Sequence, residues 1–270
     1  MIDHGKVEIK LEKVEVAFGR GTVDEHLVLR GIDLEVKKGQ RISVIGSNGA
    51  GKTTLLNAIA GTVPICAGKI FIGGVDRAAE REWMRARYVG RVRQDPLAGT
   101  AGGMSVLDNL ALAARKGARR FVPSMTPKLR RELVARVAEL GMGLENRLKE
   151  NVNRLSGGQR QALTLLMAAI SKPSVLLLDE HIAALDPRNA DIVSALTKRF
   201  VSEYDLTSIT VTHDMKRALD EGDRLVMMHE GRIIVDLEGA QKADLDVGKL
   251  VALFGAARGA AFVQDDALLR

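Results

Sequence analysis

The stretch Gly46-Ser47-Asn48-Gly49-Ala50-Gly51-Lys52-Thr53-Thr54 constrains the fold of this chain more than any other. It matches the pattern G-x-x-x-x-G-K-[ST], and its flanks give the match its meaning. Ile42-Ser43-Val44-Ile45 reads as a short buried strand, and Leu55-Leu56-Asn57-Ala58-Ile59-Ala60 reads as a helix body that Gly61 ends. Strand, glycine loop and helix form the setting of a phosphate-binding loop. Small residues at Gly49, Ala50 and Gly51 let successive backbone N–H groups turn toward one anion, and the helix N-terminus adds partial positive charge. On this reading Lys52 reaches the β- and γ-phosphates and the Thr53 hydroxyl ligates Mg²⁺. Ser47, Asn48 and Thr54 complete the cradle. The pattern predicts a site for a nucleoside triphosphate.

Length and composition bound the rest. A chain of 270 residues can form one large domain, or a domain with a subdomain. Apolar residues make up 46% and aromatics only 3%, so the core must be aliphatic. The net charge of +6, from 40 basic and 34 acidic residues, fits ordinary solubility and selects neither nucleic acid nor an anionic membrane. Cys66 is the only cysteine, which excludes an intrachain disulfide or a cysteine metal cluster and fits a reducing compartment. Residues 1–6 read as lacking an apolar signal segment. The longest apolar run, residues 162–170, is about half of the ~18 residues a membrane span needs. Any service to a membrane is therefore expected to run through a partner.

Along the chain, residues 7–18 alternate as a half-buried strand, and residues 27–36 form a second one. Residues 70–72 and 89–92 read as further short strands. Phe18 ends the first strand, either as a core ring or as the ring that stacks on a nucleotide base. From Gln94 the texture changes. Residues 95–103 are loop-like, and their small side chains leave room for close approach by a partner. Ser105 is a candidate N-cap, and residues 126–140 read as a helix with Leu129, Leu133, Val137 and Leu140 on one face. The basic run 115–120 reads as a solvated loop.

Leu155-Ser156-Gly157-Gly158-Gln159 then opens a strong helix. A hydroxyl, two glycines and free N–H groups make a second anion-ready helix start, yet the chain has no second lysine loop. This loop is therefore expected to meet a phosphate held by another subunit. Val175-Leu176-Leu177-Leu178 is an apolar strand ending in Asp179 and Glu180. Asp179 is placed to hold Mg²⁺ beside a phosphate loop, and Glu180, pointing differently, to polarise the attacking water. Residues 208–212 form one more buried strand, with His213 at its end as a γ-phosphate contact. His4, His26 and His229 receive no catalytic role. Glu230-Gly231 is a hairpin signal, and the C-terminal tail is polar with a weakly amphipathic segment near residues 250–254.

Taken in order, the phosphate loop, Gln94, the Leu-Ser-Gly-Gly-Gln pentapeptide, Asp179-Glu180, Asp186 and His213 resemble the ABC-type ATPases over roughly residues 7–237. The pentapeptide is the most specific mark. The resemblance implies an α/β fold, a P-loop NTPase (RecA-like) core with an antiparallel β subdomain and an inserted α-helical subdomain. The implied division is 1–94 with 161–237 as the ATP-binding core, 95–160 as the helical signature subdomain and 238–270 as a tail. It implies ATP and Mg²⁺ as cofactors. Gln94 would reach Mg²⁺ or the attacking water. Ser156, Gly157, Gly158 and Gln159 would close on the nucleotide of the opposite subunit. Asp186 would lie at the dimer seam, and Phe18 would take the adenine-stacking position.

Residues 44–52, 90–96, 179–187 and 227–232 are similar to a bacterial importer subgroup paired with branched-chain-amino-acid-type permeases and periplasmic binding proteins. His181 and Ile182 depart from the Pro-Thr of many relatives. The implied partners are a second copy of the chain or a paralogous ATPase, permease subunits and, indirectly, a periplasmic binding protein, with no nucleic acid. The implied place is the cytoplasmic face of the inner membrane, as a peripheral subunit. The alternative of another class is a soluble single-cassette ATPase of the iron–sulfur cluster assembly type.

Overall fold

A computed structural model describes residues 6–114 and 125–268; the basic run 115–120 lies outside them. In chain order the elements are β1 (Val7–Phe18), β2 (His26–Lys37), β3 (Arg41–Gly46), α1 (Lys52–Ala60), β4 (Ala67–Ile72), β5 (Val75–Asp76), α2 (Glu82–Arg85) and β6 (Val89–Val92). They continue with α3 (Val106–Ala113), α4 (Pro127–Ala138), α5 (Gly157–Ile170), β7 (Val175–Asp179) and α6 (Pro187–Glu203). The last are β8 (Thr207–Val211), α7 (Met215–Glu221), β9 (Arg224–His229), β10 (Arg232–Glu238), α8 (Ala240–Ala243) and α9 (Val247–Leu268). The chain divides into two compact units, residues 1–85 with 207–270, and residues 86–206.

The first unit holds two sheets. One is antiparallel, ordered β2-β1-β4-β5. Its long strands alternate buried and exposed residues, as a sheet with one covered face requires. Lys13, with φ 46°, breaks the alternation of β1 where its pairing with β2 shifts register. In the other sheet β3 pairs in parallel with β8 on one side and β9 on the other, and β10 returns antiparallel to β9. β3 is buried on both faces from Ile42 to Ile45, which explains its unbroken apolar run. Helix α1 buries Leu55, Leu56 and Ile59. Its C-terminal carbonyls meet an unexpected partner. Arg85, only 1% exposed, donates to Ala58 O (2.6 Å), Ile59 O (2.9 Å), Arg77 O (2.6 Å) and Ala78 O (3.0 Å). Burial lowers the affinity of this guanidinium for its proton.

The second unit is mainly helical around the parallel pair β6–β7. Its core joins Val92, Leu110, Leu133, Val137, Leu165, Leu166, Leu176, Leu178 and Phe200. The expected cap is present, with Ser105 Oγ accepting from the Asp108 N–H (3.1 Å); Thr126, read as the first helical residue, is instead the N-cap of α4, its Oγ1 accepting from the Leu129 N–H (3.1 Å). The loop 95–103 is exposed at Leu97, Ala98, Gly99 and Gly103, while Ala101 and Gly102 are held by packing inside the unit. Asn109 Oδ1 accepts from the Ala101 N–H (2.7 Å) while its Nδ2 donates to Ala101 O (3.1 Å). A Cβ on Gly102 would stand 2.3 Å from Asn153 Oδ1. Leu97 nevertheless stays 43% exposed at the tip.

The tail is also more structured than its composition suggests. α9 buries Leu250 completely in a cluster with Ile45, Ala218, Leu225 and Met227. No helix among the described residues is long and apolar enough to cross a membrane.

Candidate nucleotide-binding site

The phosphate loop leaves β3 at Gly46 and enters α1 at Lys52. Three glycines there have positive φ: Gly46 at 154°, Gly49 at 79° and Gly51 at 92°. At Gly46 the demand is steric as well, because a Cβ would stand 2.2 Å from the Met228 carbonyl oxygen. At Gly49 a Cβ would meet nothing within 4 Å, so the loop crest faces open space. Gly51 caps α1 in a left-handed conformation and makes no side-chain cap bond, and a helix N-terminus of this kind favours an anion. Lys52 is buried, and its Nζ donates to Gly46 O and Ser47 O, each at 2.9 Å. The ammonium is thereby held at the mouth of its own loop. Asn48 and Thr53 are exposed, and Thr54 is half-buried.

His213 follows β8 and is exposed. It lines a cavity of about 160 Å³ with Ile45, Gly46, Ser47, Thr212, Met215 and Phe254. The structure thus brings the strand-end histidine and the phosphate loop to one place. Phe18 ends β1 with 45% of its surface exposed, so it is not a core ring.

In the second unit Ser156 caps α5 in a reciprocal capping box. Its Oγ accepts from the Gln159 N–H (3.3 Å), and Gln159 Oε1 accepts from the Ser156 N–H (3.2 Å). Gln159 is further engaged by Arg147 Nη1 (2.8 Å) and by Met142 O, to which its Nε2 donates (3.1 Å). Its side chain therefore holds the loop in shape, whereas Ser156 and Gly157 are exposed. Gly158 faces the start of α6. A Cβ there would stand 2.5 Å from the Asn189 side chain. Asn189 in turn serves Asp186, the N-cap of α6, through its N–H (3.1 Å) and its Nδ2 (2.6 Å). Those bonds, the Asn189 side chain first, hold the exposed Asp186 carboxyl below the usual range. Pentapeptide and Asp186 are one packed constellation.

Asp179 closes β7, 6% exposed, and Arg91 Nη2 lies 3.2 Å from its Oδ2. Arg91 stands on β6, paired with Leu177; a basic residue inside a four-residue buried strand is the signal that could have disclosed it. Glu180 follows at φ 46°, a left-handed turn that sends its side chain away from the strand direction. His181, where relatives of the resembled family carry proline, is buried, with Nε2 3.1 Å from Thr197 Oγ1. Gln94 is exposed just beyond β6.

Among the described residues no group of three or more His, Cys, Asp or Glu forms a metal cage. Mg²⁺ is commonly held by one or two carboxylates together with substrate phosphates. Asp179, a hard oxygen donor at a buried strand end, suits it.

Comparison with known proteins agrees with this geometry. The family model described as ABC transporter matches residues 29–183. A tyrosine transport ATP-binding protein of Clostridioides difficile (strain R20291) is 35% identical over 246 residues, covering 91% of this chain and 98% of its own. The phosphonates import ATP-binding protein PhnC 1 of Pseudomonas syringae pv. syringae (strain B728a) is 32% identical over 252 residues, covering 86% and 87%. Among solved structures, the dimeric post-hydrolysis state of the ATP-binding cassette MJ0796 with ADP and Pi superposes with a TM-score of 0.73 at 25% identity, covering 85% of this chain and 98% of that one. The ADP conformation of the cassette MJ1267 shares the fold, with a TM-score of 0.75 at 22% identity, covering 92% and 98%. The phosphate-loop α/β core, the antiparallel sheet and the helical segment are those of an ATP-binding cassette, and the chain belongs to the ABC transporter family as one of its ATPases.

Proposed function

We propose that this chain is the ATP-hydrolysing subunit of an importer for amino acids or related small organic solutes. One observation carries the reading: similarity to a tyrosine transport ATP-binding protein runs over nearly the whole of both chains. Two copies, or one copy and a paralogous ATPase, pair head to tail with two ATP between them. They sit at the cytoplasmic face of the membrane under a permease, which a periplasmic binding protein supplies.

Within that reading the residues take definite roles. Lys52 leaves its loop carbonyls for the β- and γ-phosphates, the loop amides take the phosphate oxygens, and Phe18 stacks on adenine. Thr53, Asp179 and Gln94 would hold Mg²⁺, which supplies charge neutralisation at the phosphates. Ser156, Gly157 and Gly158 of one subunit close on the nucleotide of the other, and Gln159 keeps their loop in shape. Glu180 takes a proton from the attacking water as its oxygen bonds to the γ-phosphorus. The bond to the β–γ bridging oxygen breaks, and ADP leaves with that electron pair. His213 holds the γ-phosphate oxygens, and Asp186 braces the dimer seam. Residues 95–160 act as the helical signature subdomain between the core segments 1–94 and 161–237, and the exposed tip at Leu97 and Ala98 is where the permease docks.

Two measurements test this. In mixtures of Lys52→Ala and Ser156→Arg protein, each heterodimer should regain one intact site; no recovery over either variant alone would defeat the composite site. Ala98→Glu should leave the ATPase of the isolated chain within about twofold while abolishing amino-acid uptake by cells that depend on this chain. Undiminished uptake would remove the docking assignment, and unchanged uptake of every amino acid after deletion of the chain would remove the cargo class.

A further inference from the structure

The phosphate loop is braced from one side by the end of β9 and the turn after it. Gly46 pairs with Met228, whose carbonyl fills the space a side chain would need. Two residues further on from His229, the Gly231 N–H donates to Ala50 O (3.1 Å), and Gly231 O accepts from the Arg30 N–H (2.9 Å). Between these backbone contacts His229 turns its Nδ1 to within 3.4 Å of Ser47 Oγ. The imidazole also meets Phe254 of α9, edge to face, with ring centroids 6.3 Å apart at 83°. α9 cannot slide freely, because Leu250, one turn earlier, is wholly buried against Ile45 and Met227.

We infer that the C-terminal helix α9 and the β9–β10 turn clamp the phosphate loop, with His229 and Phe254 as positioning residues that hold Ser47 for the incoming nucleotide. A loop with positive φ at three glycines has many competing conformations, so its affinity depends on the fraction of time it spends in the receiving one. A side chain tied to Ser47 and backed by an aromatic ring raises that fraction without touching the phosphates. The tail thereby acquires a role in nucleotide affinity. The inference rests on residues 46–54 being the nucleotide loop.

The test uses the full chain. His229→Ala and Phe254→Ala should each raise the KM for ATP and the Kd for ADP roughly 3- to 10-fold, as loss of about one hydrogen bond's worth of preorganisation predicts. The kcat at saturating ATP should stay within about twofold. Amide exchange at residues 47–51 should quicken in the nucleotide-free protein. His229→Gln, which keeps a polar atom for Ser47, should recover most of the affinity, and the double variant should be no worse than His229→Ala because Phe254 acts through the imidazole. If an alanine variant fails to fold, Phe254→Leu and His229→Gln give the smaller graded shift. Val251→Ala, on the exposed face of α9 (51%), should change nothing. Unaltered affinity or unaltered exchange in the His229 and Phe254 variants, with nucleotide lost in Lys52→Ala, overturns the clamp. Full nucleotide affinity in Lys52→Ala would instead overturn the nucleotide assignment beneath it.

Discussion

Glu180 offers a prediction in which the sign of a stability difference is the readout. It is a non-glycine residue at φ 46°, directly after the buried Asp179. A side chain in that conformation costs about 1–2 kcal/mol, from Cβ crowding against the following carbonyl. Glycine avoids the cost but loses more freedom on folding, roughly 0.4–1 kcal/mol. Glu180→Ala and Glu180→Gly both remove the carboxylate and whatever it touches, so their difference isolates the backbone. The glycine variant should be the more stable by about 0.5–1 kcal/mol, or roughly 1–4 °C in Tm. At an ordinary helix or strand position the order is reversed by about the same amount. Both variants should lose ATPase activity by about 10²- to 10⁴-fold, the usual share of a general base. Calorimetry of the two purified chains, with a phosphate-release assay beside it, reads both quantities. An alanine variant as stable as the glycine one would refute the strain argument. Either variant hydrolysing ATP at more than a tenth of the normal rate would refute the assignment of the base. Strain held at the carboxylate proposed as the base would be a trade of stability for geometry.

Three other outcomes follow from the packing. Gly158→Ala drives a methyl into Asn189 and loosens the Asp186 cap, so thermal unfolding should show a loss of about 1–3 kcal/mol, and an unshifted Tm would mean that the pentapeptide glycine is not needed for helix contact. Arg85→Met strips the partner from four carbonyls, two of them at the end of α1, and should cost ~3 kcal/mol or more in chemical denaturation; a loss under about 1 kcal/mol would show that water replaces the guanidinium. Because the Asp186 carboxyl lies below its usual value in the folded chain, its contribution is present above the unfolded pKa of about 3.9 and is lost as pH falls through the folded value. Asp186→Asn should therefore flatten the fall in stability below about pH 4 in an acid titration followed by circular dichroism, and an identical acid limb would refute the coupling.

The sequence alone determined those features whose physics is local. A glycine loop between a buried strand and a helix can serve few purposes other than holding phosphate, and the structure puts Gly46, Gly49 and Gly51 at the positive φ values that such a cradle requires. Alternation in β1 and β2, the cap Ser105, and the hairpin at Glu230-Gly231 rest on contacts between near neighbours, and all are present. What escaped the sequence depends on residues far apart in the chain. Phe254, His229 and Ser47 are separated by 25 and 182 positions, and nothing local to any of them reveals that the pairing of β3 with β9 and the packing of α9 will carry them together. Arg85 beneath α1 and Arg91 against Asp179 are basic residues whose partners only the folded chain supplies, four carbonyls for the first and the Asp179 carboxylate for the second. Gly102 reads as a loop opener and turned out to be a contact point, because only the folded chain brings Asn153 within 2.3 Å of its missing side chain. Local chemistry named the phosphate loop and the strand-end carboxylates; tertiary packing decided what braces them, since a side chain's partners are set by which strands and helices come to lie side by side.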